Sequence, residues 1–197
     1  MTTNLFDELG ADDGALARLH QGLEHAADTG GLLDVAYRTI DTPVGTLLLA
    51  ATTAGLVRVA YDVEGHDAVL AGLADRISPR VLRAPARLDT AARQIDEYFA
   101  KRRTAFEVPV DLRLAEGFRR SVIEHLRAIG YGHRESYAMV AAAIGHPRAV
   151  RAVGTACAHN PLPVVIPCHR VVRSDGSTGQ YVGGPLAKST LLDLEAA

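Results

Sequence analysis

The residues best equipped for chemistry stand together at Pro167-Cys168-His169-Arg170, preceded by Val164-Val165-Ile166 and followed by Val171-Val172. Proline fixes its own φ and pushes Ile166 towards an extended conformation. Cys168 is therefore expected at the end of a short buried strand, at a defined angle from the core. A histidine and an arginine beside a cysteine favour thiolate over thiol, and the thiolate is the nucleophile. The plainer reading is a buried, inert cysteine with basic neighbours. A cysteine hydrolase fits poorly, because neighbours in an extended segment point opposite ways. Cys157, His159, Cys168 and His169 lack the second close pair of a usual zinc site. No metal is expected there, and Cys157 reads as a small packed side chain.

The elements that must hold this segment follow from periodicity. From Gly117 the chain reads as helical, with Phe118, Val122, Ile123, Leu126 and Ile129 forming a buried stripe at 3.6 spacing. Gly130-Tyr131-Gly132 breaks it. Ser136 can N-cap a short helix over Tyr137–Ile144, Gly145 ends that helix, and Pro147 opens the next, which runs to about Ala158. Two short helices joined by a glycine-containing turn make a helix-turn-helix pattern. The second carries Arg148 and Arg151 among Ala149, Ala152, Gly154 and Ala156, small residues that let a backbone come close to a partner or to its own core.

Upstream the period changes. Asp34–Ile40, Gly45–Thr52 and Leu56–Asp62 read as strands, with turns at Thr42-Pro43 and Thr53-Ala54-Gly55. His66–Ile77 and Leu88–Phe99 read as helices, and Phe106–Leu112 as an extended piece interrupted by Pro109. This α+β unit offers no convergent catalytic set and reads as scaffold. In residues 1–33, Leu16, Leu19 and Leu23 recur on one helical face, with Asp12 or Asp13 as cap and Gly30-Gly31 as stop, so a short helix is expected, packed on the rest or partly mobile. Three units result: a leader over 1–33, a scaffold domain over 34–112 and a C-terminal domain over 113–197.

The 197 residues are 48% hydrophobic, enough for a proper core. No apolar run approaches the ~20 residues of a membrane span, so no membrane partner is expected. Met1–Gly10 is acidic, unlike a secretory signal, and two cysteines make a poor disulfide framework. Both therefore read as reduced thiols of a cytoplasmic protein. The net charge of −2 is unevenly spread: Gly117–Ala197 holds nine Lys and Arg against five Asp and Glu, whereas Met1–Glu116 holds twelve against eighteen. A basic part joined to an acidic one suggests one face for an anionic partner such as nucleic acid.

Arg151-Ala152-Val153-Gly154, Asn160-Pro161, Ile166-Pro167-Cys168-His169-Arg170-Val171-Val172, Gly179-Gln180-Tyr181-Val182-Gly183-Gly184, Lys188, Leu191-Leu192 and Glu195 together resemble the O6-alkylguanine-DNA alkyltransferases. Ser136-Tyr137 fits as well, and Thr42-Pro43-Val44-Gly45 with Gly55-Leu56 matches their N-terminal domain more loosely. The resemblance implies an α+β fold: an N-terminal antiparallel-sheet and helix domain of ribonuclease H-like kind, then a helical domain with a helix-turn-helix and an active-site cysteine. It implies repair of O6-alkylguanine in duplex DNA by a monomer without cofactor, with O4-alkylthymine as a further candidate substrate. Cys168 would be nucleophile and acceptor, reacting once. His169 would take the thiol proton through a water, Glu195 would hold the imidazole, and Asn160 would brace the turn into the cysteine segment.

The same resemblance implies that Tyr137 donates near guanine N3 and helps turn the phosphate. Arg151 would fill the gap left by a flipped base, with Ser136, Arg148, Ala152 and Gly154 along the DNA and Ala156 among the small residues suited to a narrow groove. Tyr181, Val182, Gly183, Val171 and Lys188 would line the pocket, although the family often has serine where Val182 stands. The alternative is a non-catalytic relative that senses damage; such relatives lack the cysteine.

Overall fold

The structure, a computed structural model, describes residues 13–196. Met1–Gly10, read above as unlike a secretory signal, and the candidate cap Asp12 lie outside the described residues, as does the side chain of Asp13.

Helix α1 (Asp13–Thr29) forms where its leucine repeat places it and stops at Gly31, whose φ of 64° suits a left-handed C-terminus. Its orientation differs from expectation. Leu16, Leu19 and Leu23 face solvent, 57%, 71% and 54% exposed. The opposite face docks instead, because the surface beneath it is polar: His20 Nε2 donates to the Arg83 carbonyl at 2.7 Å, and Asp28 pairs with Arg87.

A four-stranded sheet follows, in the order β3-β2-β1-β4. β1 (Val35–Thr42), β2 (Gly45–Thr52) and β3 (Gly55–Tyr61) form an antiparallel meander, the first hairpin closing at Thr42 opposite Gly45. β4 (Val81–Arg83) adds a short parallel edge beside β1. The uninterrupted apolar run of β2 has a physical cause: both faces are covered. Leu48 and Ala50 pack with Leu73 of α2 (His66–Arg76), while Leu47, Leu49 and Ala51 face α3 (Asp89–Phe99). Residues 106–112 contribute only a single bridge, Val110 against Leu56, since Pro109 has no amide hydrogen to donate.

The C-terminal part holds α4 (Gly117–Leu126), a two-residue strand β5 (Glu135–Ser136), α5 (Tyr137–Ala143), α6 (Val150–Ala158), β6 (Val171–Val172) paired with β5, and α7 (Gly184–Ala196). Ser136 Oγ accepts the Met139 amide at 3.1 Å and caps α5 as expected. Pro147 is not the first residue of α6: Pro147-Arg148 forms a turn and the helix starts at Val150. One core runs through both halves, joining Leu47, Leu49, Tyr61, Ile95 and Tyr98 to Ile123, Val153, Ile166 and Leu191.

The segment before Cys168 departs from expectation. Val164–Ile166 is buried but is no strand; it is a tight turn in which Val164 has a φ of 71° and the Ile166 amide donates to the Leu162 carbonyl at 2.7 Å. A β-branched residue in that region is strained by about 1–3 kcal/mol. Asn160 holds it there, its Oδ1 accepting the Leu162 amide at 3.0 Å and its Nδ2 donating to the Ile166 carbonyl at 2.8 Å.

Candidate active site and nucleic-acid interface

Cys168–Arg170 is one turn of 3-10 helix after Pro167. Successive side chains in such a turn diverge by about 120° rather than the 180° of a strand. The objection that adjacent cysteine and histidine must face apart therefore disappears. All three residues are buried, at 2%, 0% and 6% exposed.

Asn160 Nδ2 also donates to Cys168 Sγ at 3.1 Å, so one amide fixes both the turn and the sulfur. His169 Nε2 meets Glu195 Oε1 at 3.0 Å. A carboxylate only accepts, which puts the ring proton on Nε2 and leaves Nδ1 as the basic lone pair. Among the described residues no group bonds to that buried Nδ1. Arg170 does not face the thiol. It grips Glu195 through Nε to Oε2 at 2.9 Å and Nη2 to Oε1 at 2.8 Å, and donates to the Ile129 carbonyl.

Electrostatics correct one expectation. Burial pushes the Cys168 thiol up to about 11, against the opposing pull of the Asn160 bond and the nearby Lys188 ammonium. The resting group is a thiol, not a thiolate. Burial also lowers the basicity of His169, against the pull of Glu195, so the imidazole rests neutral. The donors around Glu195 hold its carboxyl far below the ordinary range despite burial. Lys188, itself 0% exposed, donates to the Val171 carbonyl at 2.6 Å, and desolvation makes it less basic.

The N-terminal unit, read as scaffold, reaches directly into this centre. Tyr98 of α3 donates its hydroxyl to Glu195 Oε1 at 2.7 Å. Tyr61 of β3 meets the Tyr181 hydroxyl at 3.1 Å, and Tyr181 stands edge-on to the His169 ring at 6.3 Å between centroids. A Cβ on Gly183 would lie 2.6 Å from the Tyr61 ring, so glycine there admits the tyrosine. The Val59 amide donates to the Pro161 carbonyl at 2.9 Å, next to Asn160. From the C-terminal part, the Gly132 amide reaches Glu195 Oε2 at 3.3 Å and the Tyr131 hydroxyl donates to the Leu194 carbonyl at 3.0 Å. No motif flagged Tyr61 or Tyr98; Tyr131 stands in the Gly130-Tyr131-Gly132 break, and the signal available for Tyr98 was its place with Ile95 and Phe99 on one side of the Leu88–Phe99 helix.

The helix-turn-helix pair presents Arg151 and Ala152 outward on α6, with Arg148 exposed in the turn before it. Ala156 is only 3% exposed and belongs to the core with Val153 and Cys157, not to an outer face. Gly154 lies 4.0 Å, measured from an added Cβ, from the half-buried Tyr137 ring. The Tyr137 hydroxyl faces Gly179, where a Cβ would approach to 2.9 Å. Val171 is fully buried in β6 and Val182 half-buried in the turn before α7.

Two family models match the chain: the ribonuclease-like domain of 6-O-methylguanine DNA methyltransferase over residues 35–112 and its DNA-binding domain over 117–197. The chain belongs to this family. A methylated-DNA–protein-cysteine methyltransferase of Mycolicibacterium paratuberculosis is 38% identical over 161 residues, covering 82% of this chain and 92% of the relative. The crystal structure of the Mycobacterium tuberculosis O6-methylguanine methyltransferase superposes with a TM-score of 0.73 at 36% identity, covering 82% of this chain and 93% of that one. The same bacterium's protein in complex with DNA gives a TM-score of 0.71 at 36% identity, with 82% and 92% covered. Fold class and family thus agree with the resemblance. Among the described residues no helix is long and apolar enough to cross a membrane.

Proposed function

We propose that this protein repairs O6-alkylguanine in duplex DNA by moving the alkyl group irreversibly onto Cys168. The observation that carries the reading is the buried Cys168–His169 turn, its sulfur held by Asn160 and its imidazole by Glu195. His169 Nδ1 receives the thiol proton through an intervening water. The sulfur attacks the alkyl carbon, an S–C bond forms, the C–O6 bond breaks, and its electron pair passes to the guanine, which takes a proton in return. Tyr137 serves the base near N3. Glu195 stabilises the imidazolium, in the manner of a nucleophile–base–carboxylate chain. The thioether has no easy leaving group, so each chain reacts once.

The O6 atom lies inside a stacked pair, so the nucleotide must leave the helix. Arg151 on exposed α6 fills the gap; Ser136, Arg148, Ala152 and Gly154 lie along the DNA, and Tyr181, Val182, Gly183, Val171 and Lys188 line the pocket. The family models over residues 35–112 and 117–197 support a scaffold domain over 34–112 and a C-terminal domain over 113–197, and residues 1–33 are the leader of this reading. The protein acts as a monomer, and a thiol that must stay reduced suits the cytoplasm. The sensor alternative is disfavoured by the cysteine itself, which a non-catalytic relative does not need.

Intact-protein mass spectrometry after mixing with a duplex holding one O6-methylguanine tests this. The wild type is expected to gain one methyl group per chain, and Cys168→Ser none. Tight binding without mass gain would favour the sensor.

A further inference from the structure

The N-terminal domain reaches the relay at one atom. Glu195 Oε1 accepts three hydrogen bonds: from Tyr98 Oη at 2.7 Å, Arg170 Nη2 at 2.8 Å and His169 Nε2 at 3.0 Å. Tyr98 is fully buried on α3, some hundred residues before its acceptor, with its ring packed edge-on against Phe99 and Tyr131 at centroid distances of 5.3 Å and 6.1 Å. Packing alone would be served by phenylalanine, since the hydroxyl adds nothing to edge-on ring contact. A hydroxyl in that position has one function visible here, which is to share the Glu195 charge.

We propose that Tyr98 is a positioning residue for alkyl transfer: its phenol hydroxyl fixes the Glu195 carboxylate and sets how strongly that carboxylate draws a proton onto His169. The proposal rests on the function assigned above. A carboxylate that accepts an extra donor has less negative charge to offer the imidazolium. Tyr98 and Arg170 therefore weaken the pull of Glu195 on His169, keeping the imidazole neutral at rest and ready to take the thiol proton. The groups facing Glu195 are Tyr98 from α3, Tyr131 and the Gly132 amide from the loop after α4, and His169 and Arg170 from the cysteine turn. Those facing His169 are Glu195, Arg170, Lys188 and the edge of Tyr181. Among the described residues of the N-terminal domain, Tyr98 touches the carboxylate, and Tyr61 stands behind Tyr181.

The test is the pH profile of single-turnover alkyl transfer by the full chain, with unfolding midpoints recorded alongside. Losing a net hydrogen bond to a charged group is worth enough to move the acid limb by about half a pH unit or more. Tyr98→Phe is expected to move it to higher pH, because the freed carboxylate holds the His169 proton more tightly. Replacement of Tyr98 by 3,5-difluorotyrosine, a stronger donor of nearly the same shape, is expected to move it to lower pH. In a Glu195→Gln background Tyr98→Phe is expected to change the rate less than twofold. An unmoved limb in both variants, shifts of the same sign, or effects that multiply with Glu195→Gln would each overturn the proposal. The imidazole titration of His169 followed by NMR reads the same shift without any reaction. Absence of transfer in the wild type would therefore refute the function while leaving Tyr98 decided by the NMR arm.

Discussion

Gly183→Ala tests how closely the two domains meet at Tyr61 and Tyr181. A Cβ at this position would lie 2.6 Å from both Cε1 and Cζ of Tyr61 and 2.8 Å from Cδ1. Carbon atoms prefer about 3.5–4.0 Å, so the ring must retreat by about 1 Å. It has little room, being 2% exposed and tied through its hydroxyl to Tyr181 at 3.1 Å. Overpacking of this kind costs about 1–3 kcal/mol. In a domain of this size that lowers Tm by roughly 4–8 °C for a cost near 2 kcal/mol. Alkyl transfer slows as well, because the displaced ring drags Tyr181 from its place beside His169. The assay is urea unfolding with single-turnover kinetics in a double-mutant cycle with Tyr61→Ala. Removing the ring should reduce the Gly183→Ala cost to under about 0.5 kcal/mol, the level of uncoupled sites. Gly184→Ala is the contrast: its φ is 83° with open space around a Cβ, so its cost is conformational and should be equal in both backgrounds. The reasoning fails if Gly183→Ala is neutral in the wild type or equally costly without the Tyr61 ring.

Stability should also fall on acidification in two stages. His169 has a folded pKa below its ordinary 6.5, so its contribution is complete above that value and is lost as pH falls through and below it. Glu195 is held far below its ordinary 4.5, so its contribution is complete above 4.5 and is lost progressively below. Urea midpoints between pH 7.5 and 5 read the first stage, and a His169→Gln variant should flatten it; an equal slope in that variant would refute the assignment. Asn160→Ala should cost about 1–3 kcal/mol, because it orphans the buried Leu162 amide. It also removes the donor that lowers the Cys168 thiol. Alkyl transfer should slow at neutral pH and recover in part as pH rises, whereas a loss that is flat with pH would mean Asn160 acts on shape alone.

Legibility in the sequence followed the range of the interactions. Helices and strands whose signals are local stood out: the α4 stripe, the Ser136 cap and the β2–β3 hairpin lie where periodicity and turn residues place them. β4 did not, since three residues cannot show alternation. Val164–Ile166 misled for a sharper reason. Three β-branched residues favour a strand, yet the Asn160 bonds to the Leu162 amide before the segment and the Ile166 carbonyl at its end hold a turn. The leucine stripe of α1 misled because burial depends on what lies opposite, and a surface with Arg38, Arg83 and Arg87 draws the polar face. The cysteine segment and Glu195 were legible through a family pattern of residues. Tyr61 and Tyr98 were not, because each meets its partner across about a hundred residues of chain, in contacts that neither local pattern nor a short motif contains.

The electrostatic state of the site argues for a trigger rather than a standing nucleophile. The Asn160 bond and the nearby Lys188 ammonium favour a thiolate but do not offset its burial, and Arg170 is spent on Glu195. What remains is a neutral thiol beside a neutral imidazole, with one carboxylate and one guanidinium cancelling behind it. Moving the proton from Cys168 to His169 separates charge between Lys188 on the sulfur side and Glu195 on the ring side, each of the sign that helps. For a protein that is consumed by a single reaction, that arrangement has a clear use. A resting thiol near 11 reacts slowly with stray electrophiles, because the thiolate is the nucleophile.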